Sequence, residues 1–168
     1  MSERAARLEH RVAPEEAGAT VGELAAALAG AAGRLAAERG GAWLDGRRAL
    51  DAGERVRAGA ALTLRLPPPG GYPELALTGD AILYEDEWLI ALNKAQGWYV
   101  GATPWDAVGN VLAALGRLLA ARDGAAPPLH LAHQLDRDTS GVLLVSKSPA
   151  ANAALQAAFA GGGVAKTY

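Results

Sequence analysis

The sequence predicts an α+β protein in two parts, and three observations carry that prediction. An alanine-rich stretch with leucines at helical spacing comes first, short alternating runs follow it, and Pro67-Pro68-Pro69-Gly70-Gly71 separates both from a second series of apolar, strand-like segments and helices. A proline-glycine run of this kind continues neither a helix nor a sheet ladder, so residues 1–66 are read as an N-terminal module, 67–73 as a linker and 74–168 as a second part.

Thr20 followed by Glu23 is a capping-box pattern, and Leu24, Leu28 and Leu35 then recur at roughly helical spacing, which predicts two short helices. Trp43-Leu44 before Asp45-Gly46, and the alternation in Leu62-Thr63-Leu64-Arg65-Leu66, predict short strands with a turn. Past the linker, residues 81–84 and 88–92 are β-leaning runs around Glu85-Asp86-Glu87 and read as a hairpin. Thr103-Pro104 is expected to open a helix. Thr103 would cap it, Asp106 would sit at its positive end, Val108, Val111, Leu112, Leu115 and Leu119 would share one face, and Gly124 would end it. Residues 129–133 and 141–145 read as buried strands on either side of a polar segment, and residues 149–159 as a helix capped by Ser148. Residues 164–168 begin a further strand-like stretch.

Composition narrows the class. The 168 residues suit one medium domain, or a small module joined to an incomplete larger one. They are 51% hydrophobic and 20% charged, but aromatic residues reach only 5% and alanine supplies much of the apolar share, so few large side chains specify the core. Cysteine is absent, which removes disulfides, thiolate metal sites and a cysteine nucleophile, and suits a reducing cytoplasm. No secretory signal or membrane-length apolar run is legible, so a soluble, cytoplasmic chain is expected. The net charge of −2 counts against a polyanion-binding surface, since such surfaces gain affinity through clustered Lys and Arg. Its distribution is uneven, however. Seven arginines face four acidic residues between Arg34 and Arg65, whereas residues 74–106 are acidic apart from Lys94. If RNA is the partner, the first half is expected to hold more of its backbone.

The chemistry is concentrated in His133-Gln134-Leu135-Asp136-Arg137-Asp138-Thr139-Ser140-Gly141, ionisable and hydroxyl groups between two apolar runs, where strand ends can present side chains to a ligand. The spacing alone favours a hydrogen-bonded turn with a solvated ion pair over chemistry. His130, His133 and Asp136 stand at three-residue steps that would suit metal ligands on a helix, but Pro127-Pro128 and Thr139-Ser140-Gly141 argue against a helix there. An acid-pair glycosidase using Asp136 and Asp138 is disfavoured, because two positions along one strand hardly span a sugar.

The run HQLDRDTSGVLLVSK resembles the signature of the RluA-type pseudouridine synthases, in which His-Arg-Leu-Asp is followed by Thr-Ser-Gly and an apolar strand ending in Lys. ILYEDEWLIALNKAQGW is similar to that family's opening hairpin with its Asn-Lys pair, and VAKTY to its Lys-x-Tyr strand, so the resemblance covers roughly residues 81–168 in the family's order. Residues 20–66 resemble, more weakly, the alpha-L RNA-binding module often fused ahead of these enzymes.

The resemblance implies a mixed, mostly antiparallel sheet with flanking helices, and an enzyme that turns uridine into pseudouridine in structured ribosomal or transfer RNA without metal or cofactor. It implies that Asp136 is the catalytic carboxylate and that Tyr168 stacks on the target base and takes part in proton transfer. His133, Gln134, Arg137, Thr139, Ser140 and Lys166 would bind substrate or hold the loop. A carboxylate suits this work because it is ionised at neutral pH, and the target base must be everted at a cost of a few kcal/mol. Arg137 is expected to contact phosphate, Asp138 to be structural, and Gly141 to permit a tight turn.

Gln134 stands where the motif usually has Arg, so weaker RNA binding is expected, and a non-catalytic RNA-binding paralogue is the alternative reading. The family domain normally continues past the Lys-x-Tyr strand, so the chain is also expected to behave as a poorly active, oligomeric or partner-dependent portion of it.

Overall fold

A computed structural model describes residues 6–165 and contains two antiparallel sheets in a mixed α/β arrangement. The chain packs as two compact units. The first holds the residues up to Pro73 together with Ala102–Val108, and the second holds Glu74–Gly101 and the residues from Gly109 onward.

In the first unit, β1 (Arg7–Arg11), β4 (Ala61–Arg65), β2 (Ala42–Leu44) and β3 (Arg47–Arg48) form a sheet in the order β1-β4-β2-β3. Helix α1 (Val21–Glu38) packs against it. The capping box forms as expected: the Glu23 N–H donates to Thr20 Oγ1 at 3.2 Å and the Thr20 N–H donates to Glu23 Oε2 at 2.7 Å. The two short helices are also present, because α1 breaks at Ala29 and Gly30, whose backbone angles are not helical. The break re-aims the second half. Leu24 is buried, but Leu35, expected on the same face, is 45% exposed, and Ala36 and Ala37 face the core instead. Gly33 makes this possible, since a Cβ there would lie 1.9 Å from the Ala25 carbonyl oxygen.

Asp45 and Gly46 turn the chain from β2 to β3 with φ of 48° and 80°. Strand β1 is not predicted by its sequence, RLEHR, which carries one aliphatic residue. It lies at the sheet edge, with Leu8 opposite Leu64 and His10 opposite Leu62. The core joins Val21, Leu24, Leu44, Val56, Leu62 and Leu64 to six buried alanines.

The helix expected from Thr103 begins eight residues later. Asp106 is 3% exposed and accepts from Arg39 at 2.7 Å, and Thr103 and Asp106 exchange backbone bonds of 2.9 and 3.2 Å. That turn and buried ion pair give Ala102–Val108 a place in the first unit's packing, with Val108 37% exposed.

In the second unit, β5 (Ile82–Glu85), β6 (Leu89–Lys94), β8 (Gly141–Ser146) and β7 (His130–Leu131) form a sheet in the order β5-β6-β8-β7. The expected hairpin is β5–β6, where one Asp86 oxygen accepts from the Trp88 and Leu89 N–H groups at 2.8 Å each. Helix α2 (Val111–Asp123) is capped by Asn110, whose side chain accepts from the Ala113 N–H at 3.0 Å, and ends at Gly124. Val111, Leu115 and Leu119 share its buried face and pack with Ile90, Leu92, Leu143 and Val145. Helix α3 (Pro149–Ala160) is capped by Ser148 as expected. Val164 and Ala165 are not in a strand, and the remainder of that expected strand lies outside the described residues. No helix of the described residues is long and apolar enough to cross a membrane.

Candidate active site

The nine-residue polar segment forms the connection from β7 to β8. Leu143 and Val145 are fully buried on β8, and this central strand anchors the segment's far end. Its near end is tied by His133, whose Nε2 accepts the Leu144 N–H at 3.0 Å while its ring meets the Phe159 ring with centroids 4.6 Å apart. The imidazole therefore extends the β7–β8 ladder with its accepting nitrogen. Gly141 begins β8 at φ 137°, a conformation costly to any residue with a Cβ.

Between these anchors the chain turns through Arg137 and Asp138, closed by the Thr139 N–H donating to the Asp136 carbonyl at 3.1 Å. Strand geometry stops before Asp136, so the alternation that would put Asp136 and Asp138 on one face does not apply. The turn is held from within. Lys94, the last residue of β6 and 1% exposed, donates from Nζ to the carbonyls of Ala95 (3.2 Å), Asp136 (3.0 Å), Arg137 (3.1 Å) and Thr139 (2.6 Å). The Gly97 N–H adds a bond to the Arg137 carbonyl at 2.7 Å. Burial pushes the Lys94 ammonium below the ordinary lysine pKa, while Asp138 and Asp136 oppose that shift.

With its carbonyls turned inward, the segment shows its side chains to solvent. Gln134, Asp136, Arg137, Asp138 and Ser140 are exposed, and Thr139 is half-buried. Arg137 pairs with Asp138 at 2.9 Å and its guanidinium carbon lies 5.8 Å from the centre of the Tyr99 ring; the hydrogen bonds to Asp138 and to Tyr99 hold its pKa above the usual arginine value. Asp138 is thus committed to Arg137. Lys166 and Tyr168 lie outside the described residues.

Sequence reasoning gives Lys94 and Tyr99 no role. A signal for Lys94 exists: it shares strand parity with Ile90 and Leu92, so an amphipathic reading of β6 points it into the core. Tyr99 offers no comparable pattern.

His130 sits on β7 and His133 in the loop after it, so the helical spacing required for a metal site with Asp136 is not formed. Among the described residues, no group of three or more His, Cys, Asp or Glu is placed to hold a metal ion. The first unit contains a cavity of about 440 Å³ lined by Leu44, Asp45, Arg47, Glu54, Arg55 and Arg57, among others. Arg47 pairs there with Glu54, and Arg57 with Asp45 at 2.9 Å.

Residues 89–168 match the family model described as RNA pseudouridylate synthase. RNA pseudouridine synthase 1 of Arabidopsis thaliana is 41% identical over 92 residues, covering 55% of this chain and 25% of the plant protein. Ribosomal large subunit pseudouridine synthase C of Vibrio vulnificus is 39% identical over 124 residues, covering 71% of this chain and 38% of that protein. The solved structure of human RNA pseudouridylate synthase domain containing 4 aligns at 29% identity and a TM-score of 0.42, over 49% of this chain and 30% of that one. The chain thus spans about a quarter to two fifths of the length of the curated relatives it matches. Over residues 89–168 it is similar to the RNA pseudouridylate synthases, and its relatives include ribosomal large subunit pseudouridine synthase C of two bacteria.

Proposed function

We propose that this chain carries the catalytic loop of an RNA pseudouridine synthase and converts uridine to pseudouridine in structured RNA, with Asp136 as the catalytic carboxylate. The observation that carries the reading is the contrast at the turn: the main chain of Asp136, Arg137 and Thr139 is held by a buried lysine while the Asp136 side chain, at the start of the turn, is exposed. A carboxylate presented in this way is accessible to a substrate and suits nucleophilic attack.

The reaction is redox-neutral. The N1–C1′ glycosidic bond breaks, the uracil turns while held, and C5 bonds to C1′. C5 loses its proton and N1 gains one. Asp136 assists by adding to the anomeric carbon or to the ring. Arg137, beside it and exposed, suits a phosphate contact, and Tyr168 is assigned the proton transfer at C5. Gln134 donates hydrogen bonds without charge and so holds RNA more weakly than arginine would.

The first unit is assigned to RNA binding as an alpha-L-like module, whose seven arginines between Arg34 and Arg65 suit backbone phosphates. The name of the Vibrio relative makes ribosomal RNA the first substrate to test, with transfer RNA as the second arm.

Because C5 loses its hydrogen, RNA carrying tritium at C5 of uridine reports the reaction directly. The chain is expected to release tritium, and Asp136→Asn is expected to release none. Release by Asp136→Asn would remove Asp136 from its role. Tight RNA binding without release by the unaltered chain would favour the non-catalytic reading that Gln134 suggests.

A further inference from the structure

We propose that Lys94 is a positioning residue for the isomerisation: its ammonium, sealed beneath the Asp136–Thr139 turn, fixes the backbone from which the Asp136 carboxylate projects. This rests on the reading of Asp136 given above.

Ile90, Leu92 and Lys94 point from β6 into the same interior and are 0%, 1% and 1% exposed. An ammonium placed there must replace its hydration with fixed acceptors, or its burial is prohibitive. Four carbonyl oxygens within 3.2 Å surround its three N–H donors, and three of the four belong to the turn. Among the described residues no carboxylate lies within ion-pair distance of Nζ; Asp136 and Asp138 act on it only through space.

This choice of acceptors has a consequence for the site. A salt bridge to Asp136 would hold the turn equally well but would engage the reacting carboxylate. Bonds to carbonyls fix the main chain and leave the Asp136 side chain exposed. The Gly97 and Thr139 N–H groups donate to two of the same oxygens, so their protection from solvent reports whether the arrangement is intact.

Amide hydrogen exchange on the full chain tests the proposal without requiring turnover. Lys94→Met, similar in length and uncharged, is expected to speed exchange at Thr139 and Gly97 at least about tenfold while the β6–β8 ladder keeps its protection. Unchanged protection at Thr139 and Gly97 would overturn the proposal. Should the variant fail to fold, NMR of the unaltered chain decides: the Lys94 ammonium protons are expected to exchange slowly and correlate with the carbonyl carbons of Asp136 and Thr139, and failure to observe this overturns it equally.

Activity separates this proposal from the reading beneath it. Lys94→Met is expected to lower kcat at least about tenfold with the RNA Kd held within about threefold. Full kcat in Lys94→Met beside an inactive Asp136→Asn sinks the Lys94 role alone, whereas an active Asp136→Asn sinks the Asp136 reading and leaves the exchange result to judge the turn.

Discussion

In the first unit the half-buried guanidinium of Arg39 meets the buried carboxylate of Asp106, side chain to side chain, at 2.7 Å; in the second the buried ammonium of Lys94 meets main-chain carbonyls. Both arrangements solve the problem of a cation removed from water, and both pin a loop. They differ in what they leave over. The first engages its acidic partner completely, which suits a structural turn, whereas the second leaves a neighbouring carboxylate exposed, which suits a catalytic one. The comparison shows how an interior charge can stabilise a site without entering its chemistry.

Breaking the side-chain pair gives the largest expected loss of stability. Asp106→Ala leaves Arg39, 18% of its side chain exposed, with the Pro73 carbonyl and the Tyr72 ring as its remaining side-chain partners, and urea unfolding should show a loss of about 3 kcal/mol from the first unit. A loss under about 1 kcal/mol would mean that the pair does not hold residues 102–108 as described.

A second pair within the second unit sharpens the contrast. Glu85 accepts both Arg122 nitrogens at 2.7 and 2.8 Å and also pairs with Lys147, and these partners pull its carboxyl down to about 2 from an ordinary 4.5. A depressed acid contributes stability above its unfolded pKa and loses it as pH falls through the folded one. About 2 kcal/mol should therefore be present above pH 4.5 and lost progressively toward pH 2, and Glu85→Gln should flatten that part of the acid-unfolding curve. An unchanged curve would contradict the assignment.

The smallest effect belongs to the Thr20 cap of α1. Thr20→Ala removes the acceptor of the Glu23 N–H and should cost about 1 kcal/mol in thermal or urea unfolding, with no effect on the Asp136 loop.

What is legible in the sequence follows from the range of each interaction. The Thr20 capping box, the Asp45-Gly46 turn, the β5–β6 hairpin and the Ser148 cap are set by residues a few positions apart, and all four form. Thr103-Pro104 looks equally local, yet the helix waits for Asn110, because Asp106 is committed to Arg39, 67 residues earlier. Strand β1 is hidden for the same reason: its register is set by β4, and its own sequence has little apolar alternation.

At the site, the residue types and order are readable. The turn that ends the strand parity between Asp136 and Asp138 depends on Lys94, 42 residues upstream of Asp136. The inward-facing acceptor of His133 likewise needs β8 in place.

The most direct measurement is nucleoside analysis of RNA incubated with the unaltered chain, Asp136→Asn and Asp138→Asn. The account predicts pseudouridine from the unaltered chain and from Asp138→Asn, and a loss of at least about 10³-fold in Asp136→Asn. Pseudouridine formed by Asp136→Asn at the unaltered rate would contradict it.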